Sequence, residues 1–144
     1  MASGLLALMV AAIFTGAAVY VNVAEQPARL MLDDRALLTE WKPAYNRGFA
    51  MQAPLALVGF ILGSVAWWQM SHAGFLIGAI AMIAPWPWTI FGIKPTNDAL
   101  LATELDQAGP QSRALIVRWG GLHAVRTGLG AVASLAFLWA CLQH

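Results

Sequence analysis

Near its C-terminal end the sequence reads RWGGLHAVRTGLG, which sets His123 and Arg126 among Ala, Val, Leu and Gly. An imidazole can take up and release a proton near neutral pH, and a guanidinium can hold an oxyanion. Trp119, His123, Arg126 and Gly130 are spaced i, i+4, i+7 and i+11, so on a helix all four share one stripe, with Gly130 leaving space beneath it. Other stretches offer groups that could join them. Asn22 and Glu25 recur with Thr15 and Arg29 at helical spacing. Trp41, Tyr45 and Arg47 lead up to Gln52, and PWPWTIFGIKPTN supplies Trp86, Trp88, Lys94 and Asn97.

What must position these groups is set by composition. Of 144 residues, 60% are hydrophobic and only 10% charged, and the mean hydropathy is +0.66, values that describe an integral membrane protein. Eight Lys and Arg against seven Asp and Glu leave a formal charge of +1, so no basic surface exists to hold nucleic acid. The single Cys141 cannot form an internal disulfide and reads as a small apolar filler.

Four segments fit a bilayer, about 4–24, 49–70, 73–91 and 115–142. The first lacks a basic leader and is expected to be a retained span. The second and third are joined by little more than Ser71 and His72, a tight helical hairpin. Every acid, and every Lys or Arg except Arg118 and Arg126, falls in the connections Glu25 to Gly48 and Gly92 to Ala114. With an even number of spans both connections lie on one face, which the positive-inside bias makes cytoplasmic. The expected location is a bacterial inner membrane with both termini periplasmic.

Each connection is expected to be partly helical. Asp33 and Asp34 cap a short helix whose Leu37, Leu38 and Trp41 would lie on the membrane surface until Pro43 ends it and opens the second span. Asn97 and Asp98 open another that carries Leu100, Leu101 and Leu105 and breaks at Gly109 and Pro110. A last helix starting at Pro110 would be about 50 Å long and project beyond the bilayer. GFILG and GFLIG, with Gly59, Gly63, Gly74 and Gly78, carry the spacing that lets helix backbones approach. The expected fold is all-α, a single transmembrane four-helix domain over 1–144, with two helical connections on one face.

Depth then gives the polar groups meaning. If Arg118 and Trp119 mark the interface, His123 lies about 7 Å and Arg126 about 12 Å further in. A charge near the bilayer centre costs about 2.5–3.5 kcal/mol on insertion scales, so it needs a partner or a task. All four helices bring polar or aromatic residues to this half, and the opposite half is almost featureless. That predicts a pocket for a flat hydrophobic ligand bearing one or two oxygens. The structural alternative pairs Glu25 with Arg126, gives Arg29, Arg47 and Lys94 to lipid phosphates, and makes the Trp residues an interfacial belt. The topology sends His72 and His144 to the other face, so neither a two-His-one-carboxylate metal site nor bis-His haem can be built. A set of His123 with Glu25 and Asn97 or Asp98 is the remaining, disfavoured, metal proposal.

Beyond these readings, GAAVYVNVAEQPARL, WKPAYNR with Gln52, PWTIFGIKPTNDALL and RWGGLHAVRTGLG together resemble the anthrone-oxygenase-like family of small four-span membrane proteins. The likeness covers nearly the whole chain, and a His frequent after the acid of the first motif is Gln26 here. It implies an oxidoreductase, a monooxygenase that turns an anthrone into an anthraquinone with O2 and no tightly bound cofactor. The chemistry needs a base, a holder for the enolate and a dry slot. His123 is assigned as base, Arg126 and Asn97 as enolate stabilisers and Glu25 as the group orienting His123 or Arg126. Trp41, Tyr45, Trp86 and Trp119 are assigned as ring-stacking walls, with Arg47, Gln52 and Asn22 also in the binding site. The expected partners are membrane lipids and a hydrophobic small molecule, with assembly into a homo-oligomer left open. The rival is a non-catalytic membrane protein that binds a lipid, quinone or haem-like ligand or joins a larger complex. A transporter is disfavoured, because the far half lacks polar groups for an exit path.

Overall fold

The computed structural model describes residues 1–143. It is all helical, with four rods long and apolar enough to cross a membrane: α1 (Ala2–Arg29), α2 (Asp34–Met70), α3 (Ala73–Ala102) and α4 (Pro110–Leu142). Each packs against the rods before and after it, with α1 closing on α4, and diagonal contacts are sparse. The product is an antiparallel four-helix bundle. Met9, Ile61, Ile80 and Leu135 are exposed on its outer faces, an apolar surface that suits lipid and not water.

Local chemistry sets the helix ends. Asp33 accepts a hydrogen bond from the Ala36 amide at 2.9 Å and starts α2. Ser71, at φ 53°, takes the left-handed conformation that turns the chain, and His72 Nδ1 caps α3 by accepting from the Gly74 amide at 3.1 Å. The expected tight hairpin is thus two residues long. Arg113 on α4 donates to the Leu30 carbonyl at 2.9 Å and pairs with Asp34, which ties the turn after α1 to the start of α4. Lys42 donates to the carbonyls of Leu101 and Thr103, at 3.1 and 2.6 Å, and closes the end of α3.

The helical connections differ from expectation. Pro43 does not end a surface helix: α2 runs unbroken from Asp34 through Pro43 and Pro54 to Met70. Leu37, Leu38 and Trp41 lie on no membrane surface but are fully buried, in a core with Ile93, Leu100, Ile116 and Trp119. The charged end of the bundle is therefore capped by helices that continue out of the spans and pack on one another.

Two other interruptions were not foreseen. Val21–Glu25 in α1 and Thr89–Ile93 in α3 are π-helical turns. Each is followed two residues later by a proline, Pro27 and Pro95. Proline has no N–H for the carbonyl four residues back, and its ring crowds that carbonyl, here Val23 and Phe91 inside the π turns. The wider turn relieves the conflict, and such bulges gather at functional sites.

At the opposite end the glycines work as expected. A Cβ on Gly63 would meet the Phe137 ring at 2.6 Å, and one on Gly74 would lie 2.8 Å from the Ala136 carbonyl. Gly130 does not leave open space, since a Cβ there would stand 2.7 Å from Thr15 Oγ1 and 3.0 Å from the Phe14 ring. It is where α1 and α4 come together.

Candidate functional site

Between the core around Trp41 and a second buried core around Phe14, Phe75, Met82 and Phe137 lies a layer that carries polar groups and open space. A cavity of about 420 Å³ opens there, lined by residues of all four rods, among them Tyr20, Glu25 and Arg29 of α1 and Tyr45, Arg47, Phe49 and Gln52 of α2. From α3 come Ile93 and Asn97, and from α4 Trp119, His123 and Arg126. Tyr45, Phe49, Asn97 and Arg126 line both this cavity and a second one of about 200 Å³. The π turns widen α1 and α3 at this level and deliver Glu25 and Ile93 to the larger cavity and Thr89 to the smaller.

Two arginines meet in this layer under opposite conditions. Arg29 is buried, with its guanidinium 2.5 Å from Glu25 and 3.0 Å from Glu40, and it lies over the Trp119 ring at 5.7 Å. Arg126 is 93% buried, since only 7% of its surface is exposed. Its Nη2 donates to Gln52 Oε1 at 3.2 Å, its Nη1 reaches Thr89 Oγ1 at 3.5 Å, and the Phe14 ring lies 5.8 Å away. All these partners are neutral. Among the described residues no carboxylate is within ion-pair distance of Arg126, so Glu25 orients Arg29 and not Arg126.

His123 is also buried, beside Trp119 with ring centroids 5.0 Å apart. Its Nδ1 lies 2.8 Å from Asn22 Oδ1, so the neighbour that orients it is Asn22, and Glu25 makes no hydrogen bond to it among the described residues. Asn97 donates to the Tyr45 hydroxyl oxygen at 3.2 Å. Tyr45 in turn stacks flat on Trp41, with centroids 5.0 Å apart and planes 3° from parallel.

The other proposed site residues fall into groups. Tyr45, Arg47, Gln52 and Trp119 line the larger cavity. Trp86 lines only the smaller one. Trp41 lines neither: it is fully buried behind Tyr45 and edge-on to Trp119, a wall behind the wall. Asn22 lines neither cavity and contacts His123 by hydrogen bond.

Some contributors were not anticipated. Thr127 donates to Asn22 Oδ1 at 2.8 Å, Thr89 accepts from Arg126, and Phe49 lines both cavities. Thr127 stands four residues after His123, and that spacing alone could have marked it. Gln26 donates to the Ile116 carbonyl at 2.8 Å and packs on Gly120, so it fastens α1 to α4 above the cavity. Among the described residues no group of three or more His, Cys, Asp or Glu is arranged to hold a metal ion.

Residues 41–136 match the sequence model of the family described as anthrone oxygenase. The anthrone oxygenase tpcL of Aspergillus fumigatus is 32% identical over 99 residues, covering 63% of this chain. The matched region spans 62% of that protein's length, somewhat less than two thirds. No solved structure matches. His123, Arg126, Asn97 and Tyr45 lie within residues 41–136, whereas Asn22, Glu25 and Arg29 precede them.

Proposed function

Because this chain belongs to the anthrone oxygenase family, we propose that it is a membrane-embedded oxygenase acting on a flat aromatic ketone of the anthrone type. In that reaction the ring CH2 becomes a carbonyl, with one atom of O2 entering the product and the other leaving in water. No resident cofactor is assigned. His123 takes the proton that converts the ketone to its enolate. Arg126 holds the enolate oxygen, and the Tyr45 hydroxyl, backed by Asn97, supplies a second donor. Tyr20, Phe49 and Trp119 enclose the ring. The substrate reaches the cavity from the bilayer, and the charged end of the bundle faces the cytoplasm.

One observation carries this reading: Arg126 is a buried cation that faces the cavities and is held only by neutral groups. A buried guanidinium without a counter-charge is costly, and a protein that needed it only to join helices would have paired it. Here the neighbouring carboxylate is spent on Arg29. An anion formed in the cavity would complete the charge balance, which stabilises the enolate more than the neutral ketone.

The test uses the purified protein in lipid nanodiscs, with O2 uptake and quinone formation followed from an anthrone. His123→Ala should lower turnover by about 10²–10⁴-fold while the melting temperature holds. Turnover equal to wild type in a folded His123→Ala protein would sink the assignment. No turnover by the wild type, with tight anthrone binding, would favour a ligand-binding protein instead.

A further inference from the structure

An imidazole acts as a base only through a ring nitrogen that carries no hydrogen, and the neighbours of His123 decide which nitrogen that is. Asn22 holds the answer. Its Nδ2 lies 2.9 Å from the Gly120 carbonyl oxygen. A carbonyl only accepts, so this end of the amide is the nitrogen, and the flipped amide would set two oxygens against each other. Asn22 Oδ1 then faces the other way, 2.8 Å from His123 Nδ1 and 2.8 Å from Thr127 Oγ1. An amide oxygen also only accepts. Thr127 therefore donates its hydroxyl, and His123 Nδ1 must carry a hydrogen and donate it.

For a neutral ring this puts the lone pair on Nε2. Among the described residues Nε2 has no hydrogen-bond partner, and His123 lines the larger cavity. We infer that Asn22, seconded by Thr127, is the positioning residue for His123, holding its imidazole in the Nδ1–H tautomer so that Nε2 is the proton acceptor offered to the cavity. The inference rests on His123 being the base. It also gives the π turn at Val21–Glu25 a purpose, since Asn22 sits in that turn, where α1 meets the Gly120 carbonyl of α4.

The tautomer can be read without activity. Protein labelled with ring-¹⁵N histidine is placed in lipid bilayers, and the His123 signals are assigned by their loss in His123→Gln. The wild type should show a protonated Nδ1 and a bare Nε2. Asn22→Leu should shift His123 toward the Nε2–H form that an unconstrained imidazole prefers. In the anthrone assay Asn22→Leu should lose about tenfold or more in kcat with KM changed by about twofold or less. An Nε2–H ring in the wild type, or an unchanged Nδ1–H ring in Asn22→Leu, would overturn the inference. The wild-type reading needs no Asn22 variant to fold. Full turnover by His123→Ala would remove the base reading alone, and the spectra would still decide what Asn22 does.

Discussion

Near the Ser71 turn, α2, α3 and α4 meet through glycine, alanine and one ring: Gly63 and Gly78 both press on Phe137, and Gly74 reaches the α4 backbone. Half a bundle away the same helices stand apart around Gln52, Asn97, His123 and Arg126, with empty space between them. The first region gains from contact, because in lipid only close packing and hydrogen bonds hold helices together. The second gives up contact and carries a buried charge. Close packing is therefore concentrated on either side of this layer, which is left free to keep a cavity.

Three changes would break or sharpen that contrast. The largest effect belongs to Arg126→Met, which keeps the bulk and removes the charge. Turnover of an anthrone should fall by about 10²–10³-fold, as for loss of a donor to a developing oxyanion, while thermal stability is unchanged or rises. Stopped enzyme with a lowered melting temperature would instead make Arg126 a structural pin. Next comes Gly78→Val in the packed half, where a larger side chain drives into Phe137. Overpacking of this kind costs about 1–3 kcal/mol, read as a lower melting temperature in nanodiscs, and protein that remains folded should keep its turnover per molecule. The smallest effect is expected from Glu25→Gln. Its ion pair with Arg29 is partly exposed and Glu40 remains, so stability should drop by about 1 kcal/mol or less with turnover within about twofold. A large loss of turnover there would show that Glu25 serves the chemistry after all.

Much of this was legible in order along the chain. The apolar runs, the hairpin at Ser71 and His72, and the start of α4 at Pro110 are local signals, and each forms as read. The stripe of Trp119, His123 and Arg126 follows from helical spacing, and the cavity faces it. Partner choice was not legible. Glu25 stands four residues before Arg29, and the structural alternative paired it with Arg126 instead. Only the arrangement of α1 and α2 brings Glu40 beside the same guanidinium and leaves Arg126 to Gln52 and Thr89. Trp41 looked like a cavity wall because the sequence could not show that α2 continues straight through Pro43 and buries it.

The sequence by itself determined that the chain is a membrane helical bundle with its polar groups gathered at one end, because hydrophobicity and helical period are properties of neighbouring residues. The tertiary structure decided which of those groups pair and which remain open. Two prolines make the difference visible: Pro27 and Pro95 stand in the sequence, but the π turns before them were not foreseen from it. That each opens a π turn at the level of the cavity, and that one of them sets Asn22 against His123, depends on how α1, α3 and α4 are placed around one another.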